Sequence, residues 1–341
     1  MALGNFLQKG EAFMVETDSG EKKKNIIVQL FEIREIGAIL PLIILVIISS
    51  IINSSFYSLD NILNILRSTA YLFIPAVGMT FVLCASGIDL SVGSSMGLSG
   101  VMLGMLMVWF KVPVIPSVII TLIVGACAGA VNGLLITTLK FPPFIATLAT
   151  YYSYRGLVMG VTKGGPISPM PESFNRFGLA TILGIPNIVV FMVFLLIVGE
   201  FVLTKTKYGR YVLATGGNEE SARLAGINTS KIVFANYVIV GFLSFVSGLF
   251  FSARFTSAQP SLGTGYELRI ITACIIGGVS LFGGAGSMIG TFFGSLFMIV
   301  LENGMTMARI SGYWKQAILG VIIVIAVIID LIRKKELFAK K

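Results

Sequence analysis

Apolar and polar positions along this chain fall in long blocks, without the short alternation of a surface helix or strand. A charged stretch of 35 residues comes first. The first apolar block then runs from Ile36 to Ile52, and nine more follow at 69–86, 94–110, 116–136, 144–162, 186–204, 232–253, 268–283, 286–306 and 315–332. Most hold roughly 17–24 residues, enough at about 1.5 Å per residue to cross a hydrocarbon core about 30 Å thick. The pattern predicts an all-α, polytopic membrane protein of about ten transmembrane helices. An apolar block so far from the start, with no small-residue cleavage site behind it, reads as a retained span rather than a signal peptide. The chain thus divides into an N-terminal extension (1–35), a transmembrane domain (36–332) and a short basic tail (333–341).

Composition narrows the function classes. Of 341 residues, 55% are hydrophobic and 12% charged, half the roughly 25% charged of soluble domains. A soluble enzyme, a disordered chain and a disulfide-stapled domain are excluded. There is no histidine, so imidazole relays, catalytic triads and His-ligated metals are unavailable. Cys84, Cys127 and Cys274 are far apart with no CxxC spacing and read as small buried side chains. The net charge of +9 reports topology. With the N-terminus inside and ten crossings, 16 basic residues lie on the inner side and 8 on the outer, with Arg155 inside a span. That bias places both termini in the cytoplasm of a bacterial cell, facing an anionic inner leaflet, and makes nucleic acid an unneeded partner.

Two glycine-broken segments carry the first functional signal. Gly87-Ile88-Asp89-Leu90-Ser91-Val92-Gly93-Ser94 follows a span that reads as short and interrupted by Pro75 and Gly78. An aspartate inside a continuous membrane helix costs about 2.5–3.5 kcal/mol. A broken helix avoids this, and its freed backbone groups line a cavity or cap the next helix. Asp89 either caps the third span through the N–H groups near Ser91 and Val92, or gates a solute pathway. Gly277–Ser287 repeats the design between spans eight and nine. It has neither the Lys-Ser/Thr nor the preceding strand of a nucleotide loop. Paired breaks in the two halves of a chain point to a transport pathway.

Small residues recur at helical spacing at Gly93, Gly97, Gly100 and Gly104, at Gly125, Gly129 and Gly133, and at Gly286, Gly290 and Gly294. They suit close helix approach within one chain or between two. In the basic loop 205–231, Gly216 and Gly217 supply a turn and Asn218 is a good N-cap. Glu219 and Glu220 suit the positive end of a short helix that Gly226 can close. So short a helix needs something docked on it.

At these residues the chain resembles the permease subunit of bacterial ATP-binding-cassette importers of the ribose, xylose and galactose class. The matching stretches are Gly87–Ser94, Pro142-Pro143-Phe144-Ile145 with Thr147-Leu148, Lys163-Gly164-Gly165-Pro166-Ile167, Tyr208–Ile227 and the Gly277–Gly286 turn. Ser221 stands where alanine is usual, and Ala149-Thr150 where Gly often follows Thr-Leu. The resemblance implies a permease of about ten spans working as a pair in the inner membrane. Two separate ATP-binding subunits would drive it and an extracytoplasmic solute-binding protein would feed it. This chain would bind no cofactor and be no enzyme, ATP being used by the partner subunit. The resemblance also makes Gly217, Asn218, Glu219, Glu220, Ala222, Arg223 and Gly226 the ATPase-coupling segment.

The fifth span carries Tyr151, Tyr152, Tyr154 and Arg155. Their rings and guanidinium either guide a sugar by stacking and hydrogen bonding or sit in belts and snorkel outward. The candidate pathway set is Asp89, Ser91, Phe144, Thr147, Tyr151, Arg155 and Ser280, with no metal site. The acids Glu200, Glu302 and Asp330 lie near span ends, where solvated or capping roles are expected. The competing class is an ion-gradient-driven secondary transporter of a small hydrophilic solute, with Asp89 or Glu302 carrying the ion.

Overall fold

Ser58 opens the helix around which the rest is built. Its side chain accepts from the Asn61 N–H, and α2 then runs unbroken from Leu59 to Cys84. Every residue from Thr69 to Cys84 is buried, as expected of a helix apolar on all sides. The computed structural model describes residues 36–339, which belong to one unit, and the extension 1–35 lies outside the described residues.

Before α2 comes α1 (Ile36–Ile52), and after it α3 (Val92–Gly104), which ends in one π-helical turn over Met105–Trp109. Then follow α4 (Val114–Thr137), α5 (Pro143–Thr162), and the short α6 (Glu172–Leu179). A two-residue hairpin, β1 (Thr181–Ile182) with β2 (Ile185–Pro186), leads into α7 (Asn187–Lys205). The remainder is α8 (Lys207–Gly217), α9 (Glu219–Leu224), α10 (Thr229–Phe255), α11 (Tyr266–Ile276), α12 (Met288–Met307) and α13 (Gly312–Ala339). α13 runs seven residues into the basic tail expected from 333.

Seven helices among the described residues are long and apolar enough to cross a membrane: α2, Val92–Trp109, α4, α7, α10, α12 and Gly312–Ile332. This establishes an all-α polytopic membrane protein but not the ten helices expected. Each shortfall has a physical reason. α1 has 17 residues, α5 has a crossing length but is too polar, and α11 has only 11 residues.

Two expectations about α2 are corrected. It starts ten residues earlier than the apolar block, because Asp60, Asn61, Asn64 and Arg67 mask two amphipathic opening turns. It is also not interrupted: Pro75 and Gly78 both lie inside the helix, and a side chain at Gly78 would overlap Val240 of α10. The small-residue ridges pack internally. Gly125, Gly129 and Gly133 of α4 face Phe245, Tyr237 and Phe234 of α10, and Gly290 and Gly294 of α12 face Gly277 and Ala273. Cys84 and Cys274 are buried, but Cys127 is exposed on α4.

Segment 256–265, which reads in sequence as a polar loop, runs back antiparallel along α3. Ala258 pairs with Ile167 beside Gly104, the carbonyls of Pro260 and Leu262 approach Gly97, and Gly263 lies against Gly93. Gly93 and Gly263 touch through backbone atoms, which no larger residue permits. Non-helical backbone buried in a membrane bundle is tolerated only when protein satisfies it. Here the Ile167 backbone and the Arg155 guanidinium do so.

Candidate functional site

The chain leaves α2 at Cys84 and re-enters helix at Val92, and the intervening turn is held by polar groups from three other helices. Asp89 is buried. Its Oδ1 accepts from the Ser91 N–H and the Ser91 hydroxyl, each at 2.7 Å. This is an Asx turn just ahead of the α3 start rather than a bond to the first helical N–H. Asn132 of α4 donates through Nδ2 to Asp89 Oδ2 (3.3 Å) and to Ser91 Oγ (2.9 Å). The Thr150 hydroxyl of α5 donates to Asn132 Oδ1 at 2.7 Å. Thr147 of α5 and Tyr237 of α10 both donate to the Ile88 carbonyl, at 3.3 and 3.2 Å.

The second broken turn, 277–287, is held by two carboxylates. Asp330 of α13 accepts from the Leu281 N–H at 3.0 Å, and Glu200 of α7 accepts from the Met288 N–H at 3.2 Å. Ser280 closes the turn internally: its N–H donates to the Ala285 carbonyl and its hydroxyl accepts from the Phe282 N–H. Glu302, by contrast, pairs with Arg269 at 3.1 Å.

Both turns meet the 205–231 loop at one point. The Ser86 hydroxyl lies within hydrogen-bonding distance of the carbonyls of Gly216 (3.0 Å) and Phe282 (2.8 Å), and the Gly284 N–H donates to the Cys84 carbonyl at 2.9 Å. Gly216 is wedged so tightly that a Cβ would overlap the Cys84 carbonyl. Gly216 and Gly217 therefore end α8 rather than forming a turn. Asn218 caps α9, accepting from the Ser221 N–H at 2.8 Å, and Gly226 closes it with φ +83°. Ala222 packs inward. Glu219 accepts from the Thr229 hydroxyl, and Glu220 pairs with Arg223 at 3.3 Å on the outer face, beside an exposed Leu224.

Of the pathway residues expected from sequence, Asp89, Ser91 and Thr147 share one network and Ser280 belongs to the second turn. Phe144 is exposed at the start of α5, and Tyr151 stacks edge-on with Tyr152, so neither joins these networks. Arg155 does not snorkel outward: Nη1 donates to the carbonyls of Pro260 (2.8 Å) and Leu262 (3.0 Å). The sequence reading missed Asn132, Thr150 and Tyr237, and also Ser86. Asn132 had a readable signal, as an amide inside an otherwise apolar block.

Seven apolar helices of crossing length and two helix breaks joined through Ser86 to the end of α8 give the architecture of a helical membrane permease. Residues 61–327 match the family described as branched-chain amino acid transport system / permease component, and the chain belongs to that family. It is 41% identical over 295 residues to the ribose import permease protein RbsC of Haemophilus influenzae, covering 85% of this chain and 91% of that protein. With RbsC of Bacillus subtilis the identity is 42% over 305 residues, 89% of this chain and 94% of the relative. The autoinducer 2 import system permease protein LsrC of Photorhabdus luminescens is 34% identical over 298 residues, 87% and 89% of the two chains. No solved structure matches.

Proposed function

We propose that this chain is the permease subunit of an ATP-binding-cassette importer, carrying a monosaccharide, ribose foremost, across the bacterial inner membrane. The observation that carries the reading is the three-way junction at Ser86, Gly216 and Phe282. It ties the last turn of α8, which leads straight into α9, to both broken turns, so a displacement of α9 is passed to them through α8. Two relatives named as ribose import permeases, similar over most of their length, support the cargo. ATP is hydrolysed by separate subunits, two of which serve a pair of permease chains, while an extracytoplasmic solute-binding protein delivers the sugar. The ion-gradient alternative lacks a free carboxylate at its named positions. Both Asp89 oxygens are engaged and Glu302 is held by Arg269.

The reading includes ten crossings. α1, α5 and the combination of segment 256–265 with α11 add three to the seven apolar helices, so that both termini and the 205–231 loop share one side, which we read as the cytoplasm. The basic-residue bias supports that orientation. Ser153, Gly156 and Gly160 lie open on α5, with no atom near the two glycines. A polar, open helix face inside a bilayer needs water or a second permease chain beside it.

The coupling segment is tested by changing Glu219, Glu220 and Arg223 together to Ala. A six-residue helix is too short to persist without a docked partner, and these side chains with Leu224 form its exposed face. The expected result, in vesicles containing the permease, ATPase and binding protein, is loss of ATPase co-purification or of uptake linked to hydrolysis. Helix content should be unchanged. Wild-type uptake should require ATP and survive collapse of ion gradients. Uptake that persists without ATP, or a triple variant that docks and transports normally, would sink this reading.

A further inference from the structure

Arg155 and Glu267 approach the same wall of α3, one turn apart. A side chain at Gly97 would meet Arg155 Nη1, and one at Gly93 would overlap Glu267 Oε2. Glu267 stands in the first turn of α11, where segment 256–265 re-enters helix. Arg155 sits about 18 Å along α5 from Pro143 at 1.5 Å per residue, well inside the crossing. Among the described residues no ion pair joins the two charges.

Their hydrogen bonding is incomplete in a specific way. Arg155 commits Nη1 to Pro260 and Leu262, while Nε and Nη2 are enclosed with no hydrogen-bond partner among the described residues. Glu267 Oε2 is likewise enclosed and without a partner. Buried polar groups are nearly always satisfied, so three such atoms in one place need an explanation. Nε and Nη2 form one edge of the planar guanidinium, a fork of two parallel donors that fits a pair of adjacent oxygens. Glu267 beside it supplies an acceptor that needs a hydroxyl donor, and its negative charge disfavours an anion on the fork.

We propose that Arg155 and Glu267 form a solute-binding site for vicinal hydroxyls, which the passing sugar engages when α3, α5 and segment 256–265 separate. The fork donates to two neighbouring hydroxyl oxygens and Glu267 Oε2 accepts from a hydroxyl of the same molecule. This selects a neutral polyol over a carboxylate-bearing amino acid. Glycine at 93 and 97 lets both groups reach the α3 backbone, with no side chain there to cover them once the elements separate. The assignment rests on the sugar-importer reading and deepens it.

The test uses the assembled importer in vesicles, with [14C]ribose, saturating binding protein and ATP, comparing wild type with Arg155→Lys and Glu267→Gln. Arg155→Lys keeps a positive charge but loses the fork, and Glu267→Gln keeps the shape but loses the charge. Each should lower the maximal uptake rate about ten- to a hundredfold, as expected for a hydrogen bond to a charged group. The concentration of loaded binding protein giving half-maximal rate, and the stimulated ATP hydrolysis, should stay within about twofold of wild type. Uptake equal to wild type in both variants overturns the site. So does parallel loss of uptake, ATP hydrolysis and assembled complex, which marks Arg155 as only a tie for segment 256–265. A wild-type importer that carries a branched-chain amino acid and no sugar would instead overturn the function itself. Sugar uptake by wild type with unaffected variants removes this site alone.

Discussion

Replacing Gly216 with alanine is expected to abolish transport, whereas alanine at Gly217 is expected to leave it near normal. The two glycines are adjacent in sequence and both end α8, so helix propensity treats them alike. Their surroundings differ. A Cβ at Gly216 overlaps the Cys84 carbonyl and comes within 2.7 Å of the Gly284 N, both backbone atoms. A Cβ at Gly217 comes no closer than 3.9 Å to anything, the nearest atom being Gly284 Cα. Backbone cannot rotate aside as a flexible side chain does. The alanine at Gly216 must push α8 away from both broken turns, breaking the Ser86–Gly216 contact at 3.0 Å. Overpacking of this kind costs about 1–3 kcal/mol, a loss of stability the bundle can survive. The transport defect should therefore exceed the stability defect. Thermal unfolding of the purified permease and uptake by the assembled importer measure the two separately. Equal activity of the two alanine variants would show that the junction does not transmit motion.

Whether a feature was legible in the sequence depended on whether its signal was local. The Asn218 cap, the acidic first turn and Gly226 lie within nine residues, and their short helix is found between Glu219 and Leu224. The glycine-rich breaks likewise announce themselves by composition. Segment 256–265 does not. Its Ser, Gln, Pro, Thr and Gly residues match those of a solvent-exposed loop, and it lies within the bundle only because α3 presents Gly93, Gly97 and Gly104 to it. That is a property of two stretches about 160 residues apart. Hydropathy placed the eighth span at 268–283, where α11 ends at Ile276, because a window averages the apolar half-helix with the glycine turn behind it. Glu267 lies one residue before that span, and nothing in the apolar pattern singles it out. Arg155 was visible as a charge within a span, but its direction was not. A helix of crossing length offers an arginine both the membrane surface and the bundle interior, and only the carbonyls of Pro260 and Leu262 decide between them.

Substituting Asp89 with leucine is expected to eliminate transport in a protein that still inserts, and the reason is donor–acceptor arithmetic rather than charge. Asp89 accepts from the Ser91 N–H, the Ser91 hydroxyl and Asn132 Nδ2 in a site only 1% exposed. Leucine leaves the Ser91 N–H without that acceptor, and an unmet buried donor costs about 1–3 kcal/mol. Ser91 and Asn132 retain each other at 2.9 Å, so the damage concentrates on the backbone of the turn. Asp89→Asn separates this account from a purely electrostatic one. It keeps an acceptor for Ser91 but sets an amide N–H₂ against Asn132 Nδ2, a clash of two donors. Exchanging the partners, Asp89→Asn with Asn132→Asp, restores a donor facing an acceptor and keeps an acceptor for the Thr150 hydroxyl, now at 2.7 Å from Asn132. The double variant should recover most of the uptake and melting temperature that Asp89→Asn loses, with a coupling energy of about 0.5–3 kcal/mol in the mutant cycle. If the exchange recovers nothing while both single variants fold, Asp89 acts through its negative charge at that position. Normal uptake by Asp89→Leu at normal expression would instead show that transport does not depend on the turn it holds.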